Sequence, residues 1–408
     1  MTKISRTTDM TQGSEMWHII MFSLPLLAGN LLQQTYNIVD TMVVGRYLGD
    51  DALAAVGATG SITYLFYTLC IGLSVGAGII VAQYFGAGKK KALRSAVFNS
   101  ALVTAIFGVV ISLLSVPAAK PILELLKVPD KLIGDSVAYM QIACGGTIAV
   151  AAYNWINAIM RALGDSKTPL IFLGAASLLN ALLDLLFVVV FKFGIAGAAW
   201  ATVLTQALSA ISCIVYCFAV SGEIKLTADD LHADKDMMSR CVKTGVPIAI
   251  QNGLISVSMV ALQRVTNGFG ETVMAAYTVS MRIEQFVQQP FSSLNAAVST
   301  FTGQNIGAGK EKRAQKGLAC AIKISVIFSA VVLVLFTLFG GAITSWFVKG
   351  KTVISISAKA LIITSLFYWS LGIIHTTRGF LNGAGDTNYA LVNGMAEVIC
   401  RIGLSLIL

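Results

Sequence analysis

Residues 52–83 read ALAAVGATGSITYLFYTLCIGLSVGAGIIVAQ, without one charged side chain. A helix rising 1.5 Å per residue crosses ~30 Å of hydrocarbon in about 20 residues, so this stretch can span a bilayer with length to spare. Residues 95–119 and 168–191 carry almost no charge either. Over the whole chain 56% of residues are hydrophobic and 12% charged, and the mean hydropathy is +0.77, whereas a soluble domain carries about a quarter charged residues. Barrels, the other lipid-spanning design, need strands of ~10 residues with alternating polarity. No such pattern occurs, so the chain is expected to be all-α and polytopic, with the lipid bilayer as its solvent.

Gly, Pro and charge clusters predict about eleven spans, at 17–46, 52–83, 93–117, 133–161, 168–191, 194–220, 241–266, 272–304, 316–347, 353–381 and 388–408. The polar start and an apolar run interrupted by Pro25, Asn30, Gln33, Gln34 and Asp40 argue against a cleaved leader. With the N-terminus inside, about 17 basic residues, Arg161 and Arg378 among them, fall on the cytoplasmic side and about 8 outside. That bias accounts for the net charge of +9 and removes nucleic acid as the expected partner. A multi-pass protein of the cell membrane with a cytoplasmic N-terminus is expected. The seven cysteines fall mostly within apolar spans, and no Cys/His spacing suits a metal.

The chain repeats itself. Gln83 to Lys89 reads QYFGAGK and Gln304 to Lys310 reads QNIGAGK, 221 residues apart. At the same offset Gly164-Asp165 answers Gly385-Asp386, and Gly49-Asp50 answers Gly270-Glu271. Six spans separate the copies, so the two halves run parallel across the membrane about a pseudo-two-fold near its normal. The expected division is an N-lobe at 1–220, a cytoplasmic linker at 221–240 and a C-lobe at 241–408. Position 408 maps to 187, inside the fifth span of the first half, so the second lobe is expected to be incomplete relative to a twelve-span ancestor.

Residues 33–57, QQTYNIVDTMVVGRYLGDDALAAVG, together with both GAGK turns, MRALGD at Met160 to Asp165 and the spacing Asn180-x-x-x-Asp184, resemble the multidrug and toxic compound extrusion family, in its archaeal and DNA-damage-inducible-type branch. The resemblance covers essentially the whole chain. It implies two six-helix lobes in a V around a central cavity, alternating access, and export of organic cations and other amphiphiles against an inward flow of H⁺ or Na⁺. It also implies a coupling site in the first lobe, no cofactor and no catalysis. The chain is expected to work as a monomer.

The residues support the coupling site on their own terms. Asp40, Asn180, Asp184 and Thr202 fall at one depth on three different spans, and Asn180 and Asp184 share one helix face. An acid in hydrocarbon costs at least ~2.5–3.5 kcal/mol, so it faces a cavity or a partner. Two acids with an amide and a hydroxyl suit either a shared proton or a hard cation such as Na⁺. The plainer reading, that both aspartates merely tie helices together, sits badly with the second copy, where Arg401 answers Asn180 and Ser405 answers Asp184.

Pro25 removes a backbone hydrogen bond in the same span as Asp40, and is expected either as a hinge that bends with site occupancy or as a static kink. Glu397 and Arg401, at i and i+4, are expected to form a structural ion pair. Glu284, Asn154, Asn157, Gln251, Gln285 and Met259 are candidates to line the substrate cavity. Two rival functions are weaker. A lipid-linked oligosaccharide flippase needs a base-rich cavity for its pyrophosphate, and a membrane enzyme or passive channel finds no metal or nucleophile motif and no use for one asymmetric acidic site.

Overall fold

The computed structural model describes residues 7–220, 224–227 and 230–407; within its helices the side chains at 260, 261, 263, 264, 267 and 404–407 are not described. The polar start at 1–6, part of the linker and the Ser405 side chain therefore lie outside the described residues.

The described chain is helical throughout, with no strand. In order the helices are α1 (Glu15–Leu48), α2 (Asp50–Gly86), α3 (Lys90–Leu125), α4 (Asp130–Gly145), α5 (Thr147–Ala162), α6 (Lys167–Asp184), α7 (Gly194–Val220), α8 (Lys235–Asn267), α9 (Glu271–Gly307), α10 (Glu311–Ser345), α11 (Lys351–Ser365), α12 (Tyr368–Ala384) and α13 (Thr387–Ile407), and a π-helical segment (Leu185–Val190) continues α6. Two of the expected spans are each two helices: α4 and α5 meet at 43°, α11 and α12 at 51°. By length and composition six helices are apolar enough to cross a membrane, and eight passages qualify when each bent pair is one span. The helices α8, α9 and α13 fall short of that test because they carry the polar residues of the bundle interior, Gln251, Gln304, Asn305 and Glu397 among them. Large apolar side chains elsewhere point outward, as Leu113 and Leu338 do on α3 and α10, which lipid rather than water satisfies.

The repeat seen in the sequence is a repeat in backbone. Gly49 and Gly270 both take positive φ (86° and 87°) where one helix turns into the next, and Gly88 with Gly309 and Gly164 with Gly385 do the same. A side chain at any of these would strain the turn. The helix breaks also correspond, at Gly146 in the first half and Phe367 in the second.

Lipid gives apolar surfaces little reason to leave it, so helices in a bilayer associate by close packing of small residues. A Cβ on Gly86 would fall 1.9 Å from the Gln304 carbonyl oxygen, and one on Gly307 would fall 1.9 Å from that of Gln83. These two contacts are images of each other at the repeat offset, so the pseudo-two-fold passes where α2 crosses α9. Gly72 meets Ala249 and Gly76 meets Gly245 just as closely, joining α2 to α8. On the other side Asn30 donates to Ser293 (3.1 Å), and Ile19 and Phe22 of α1 pack with Leu294, Ala297 and Val298 of α9. Each half thus lends its first two helices to the other.

Nearer the opposite end of α2, Gly57 and Gly60 have open space around them. The lobes are pressed together at the end bearing the basic turns and part toward the other. A strap reinforces the closed end. Thr8 N–H donates to Leu163 O of the first half (3.2 Å), while Met10 N–H donates to Gln304 Oε1 (2.9 Å) and Arg313 donates to the carbonyls of Met10, Gln12 and Gly13 in the same segment.

Candidate functional site

Asp40 comes from α1, Asn180 and Asp184 from the last turns of α6, and Thr202 from α7. Their convergence follows from helix order: α6 and α7 are joined by a tight reversal at residues 191–194, and α1 packs against both. Asp184 is fully buried and Asn180 nearly so, at 0% and 1% exposure. The carboxyls of Asp40 and Asp184 are neighbours, close enough to act on each other. Among the described residues no N–H or O–H reaches either oxygen of Asp184 or Oδ1 of Asp40, and both amide atoms of Asn180 are without a partner. Buried polar groups are almost always satisfied, and two carboxylates this close are compatible only when a proton or a cation lies between them.

The surroundings suit that chemistry. One turn beyond each aspartate, Val43, Val44 and Val188 join Ile195 and Ala198 in an apolar cluster, which keeps the local dielectric low and strengthens any charge–charge interaction. The helix relaxes into its π segment at Leu185, directly after Asp184, and such widened turns occur mainly at functional positions. Thr202 does not contact the carboxyl pair in any described hydrogen bond. Its hydroxyl lies 3.4 Å from that of Tyr36, and Tyr36 is within electrostatic reach of both aspartates. So is Tyr139 of α4. Tyr36, Thr202, Thr205 and Gln206 border a small cavity inside the lobe, where Thr205 Oγ1 and Gln206 Oε1 are again without partners. Among the described residues no His/Cys/Asp/Glu group of three suits a metal ion of the transition type.

The C-lobe replaces this site with a closed ion network. Arg401 and Arg378 each donate to Glu397, both at 2.7 Å, and Arg401 also reaches Ser258 and Met259 on α8. At the repeat offset Arg378 and Arg401 stand where the N-lobe has Asn157 and Asn180. Arg378, counted from the sequence among the basic residues of the turn end, is therefore interior to the lobe and 9% exposed.

The remaining candidates for the substrate cavity scatter. Gln251 does not line an open space: it is 1% exposed, lies against Gly394 and donates to Ala390 O, binding α8 to α13. Asn157 is buried in the N-lobe beside Tyr153, and the Asn154 amide donates to Val150 O of its own helix (2.8 Å). The Met259 sulfur accepts from Arg401 (3.1 Å). Glu284 lies near Thr364 and Tyr368, beside the break between α11 and α12, and Gln285 is exposed. Pro25 sits inside α1, which runs unbroken past it.

The MatE family model matches twice, at residues 25–186 and 247–407. The probable multidrug resistance protein YoeA of Bacillus subtilis is 31% identical over 91% of this chain and 82% of its own length. The probable multidrug resistance protein YpnP of the same organism is 29% identical over 94% of this chain and 86% of its own. A solved structure described as the outward-facing conformation of a multidrug resistance MATE family transporter of the MOP superfamily superposes with a TM-score of 0.91 at 23% identity, covering 98% of this chain and 90% of that one. Two family matches in register with the structural repeat, and relatives that are transporters and not enzymes, lead to one conclusion: the chain belongs to the MATE family of multi-pass membrane transporters.

Proposed function

We propose that this protein is a secondary active antiporter of the cell membrane that exports small organic amphiphiles in exchange for H⁺ or Na⁺, with the coupling ion held between Asp40 and Asp184. The observation that carries the reading is the carboxyl pair itself: two neighbouring acids in one lobe of a duplicated fold, with no donor among the described residues to either oxygen of Asp184 or to Oδ1 of Asp40. With the basic turns in the cytoplasm, the cleft between the lobes faces outward, the state in which a transporter releases its cargo and takes up the driving ion.

The helix α1 is the mechanical link. It carries Asp40 near one end, Pro25 about 22 Å away along the axis, and between and beyond them the contacts of Asn30, Ile19 and Phe22 with α9. A proton or cation entering between the aspartates removes their repulsion and draws α1 toward α6. The hydrogen bond missing at Pro25 makes that residue the softest point of the helix, so the displacement is absorbed there and passed to the lobe contact. Organic substrate and ion then favour opposite states, which is the thermodynamic content of antiport.

The test is efflux of a fluorescent amphiphile from proteoliposomes under separately imposed Na⁺ and pH gradients, for wild type, Asp40→Asn and Asp184→Asn. Wild type should respond to at least one gradient. Each variant should still bind the dye but lose gradient-driven efflux by at least about 10²-fold, about 2.7 kcal/mol of lost coupling. Undiminished efflux in both variants would remove the assignment.

A further inference from the structure

A small cavity of about 90 Å³ lies between the lobes, away from the carboxyl pair, walled by Val75, Gly78 and Ile79 of α2, Arg161 of α5, and Asn295, Ser299 and Thr300 of α9. Its floor toward the basic turns is the lobe contact itself: Gln304 donates to the carbonyl of Ala162, the residue after Arg161 (2.9 Å), and Gln83 donates to Gly383 O (3.1 Å). Arg161 was assigned from the sequence to the cytoplasmic side. It borders this cavity at the closed end of the cleft, partly buried between the two lobes.

Arg161 differs from several other arginines. Arg378 and Arg401 share Glu397, Arg313 pairs with Glu15 and Arg94 with Asp230. Among the described residues the Arg161 side chain makes no hydrogen bond and no ion pair, and the one ionisable group acting on it is the Tyr153 hydroxyl. Its position in the last turn of α5 lets it interact favourably with that helix's carboxyl end, which accounts for a positive charge there but leaves five N–H donors unused. A partly buried guanidinium with no carboxylate beside it presents an uncompensated positive charge to the cavity, and the carbonyl and hydroxyl groups opposite it cannot neutralise it. Glu284, the acidic candidate for the substrate cavity, does not line this one.

We infer that Arg161 is an anion subsite at the base of the cleft, which takes the carboxylate or phosphate group of an amphiphilic substrate, with Ser299 and Asn295 of the facing lobe completing its donor set. The cavity admits such a group and excludes the rest of the molecule, so the apolar body lies above it in the open part of the cleft. Zwitterionic and acidic amphiphiles are therefore preferred over purely cationic ones. The inference deepens the export reading and rests on the cleft being the substrate path.

The experiment measures fluorescence anisotropy of protein in lipid nanodiscs with a xanthene dye bearing a free carboxylate and with its methyl ester. Wild type should bind the acid at least about tenfold more tightly than the ester, the effect of one charge-assisted contact. Arg161→Gln should abolish that preference while leaving ester affinity within about twofold, and Arg161→Lys should keep part of it. Equal binding of acid and ester by wild type overturns the inference whatever the variants do, as does an Arg161→Gln variant that retains the preference or loses both dyes alike. Asp40→Asn should keep the acid preference, so a failure of ion coupling and a failure of the subsite are read separately.

Discussion

Asp184 and Glu397 are both acids inside the bundle, and their neighbours treat them oppositely. Two arginines donate to Glu397; among the described residues nothing donates to Asp184. Replacing the first therefore leaves two interior cations uncompensated, whereas replacing the second removes a like-charge contact. Glu397→Gln should lower stability by about 3 kcal/mol, and Asp184→Asn should leave the thermal unfolding temperature in detergent equal or higher; both are read from one series of melting curves. A fall for Asp184→Asn as large as that for Glu397→Gln would mean that the aspartate is structural. The acids were legible in the sequence because charge is rare in the spans and the second copy lacks them at the same positions. Tyr36 and Tyr139 were not, since a tyrosine in an apolar span is ordinary and only folding brings two of them to the same carboxyls. Arg378 was misplaced for a related reason: proximity to a turn in sequence says nothing about whether the side chain snorkels outward or is enclosed by a neighbouring helix.

At the scale of helices, the QxxG spacing within QYFGAGK and QNIGAGK proves to be a crossing point. The turn at its end was evident from the glycines and lysines, but the reason for Gly86 and Gly307, backbone contact with the other half, needed the fold. Gly86→Ala should force the carbonyl of Gln304 away and loosen the lobe contact, lowering the unfolding temperature. Gly57→Ala, in open space on the same helix, should be neutral or stabilising by up to about 1 kcal/mol. Matched melting curves of the two variants check this, and equal effects would contradict the account of the crossing. The breaks within α4/α5 and α11/α12 were hidden in spans that read as continuous, because a break at Phe367 leaves the apolar composition unchanged. Gln251 was assigned to the cavity on polarity alone, and polarity does not distinguish a ligand-facing amide from one that binds two helices together.

For the whole molecule, alternation requires the closed end to open, and the strap at residues 7–13 crosses it. Its carbonyls accept from Arg313 and Lys310 of the second half, and Thr8 holds it to the first. Arg313→Ala should raise hydrogen exchange of this segment by at least about tenfold, with little change in peptides of α3, which the strap does not touch. Unchanged exchange would show that Arg313 does not hold it. The architecture itself, two parallel repeats of helices, was readable from hydropathy and offset. The strap was not, because a short polar segment carries no periodicity and gains its structure only from the partners it meets.

In the proposed cycle, substrate and coupling ion compete through the Asp40–Asp184 pair. This competition is tested most directly by adding substrate to purified protein in weakly buffered solution and recording release of protons or of bound ²²Na⁺. Wild type should release one of these ions on binding substrate, and a double variant Asp40→Asn, Asp184→Asn should bind substrate and release neither. Release of equal size from the double variant would place the exchanging ion elsewhere and contradict the account.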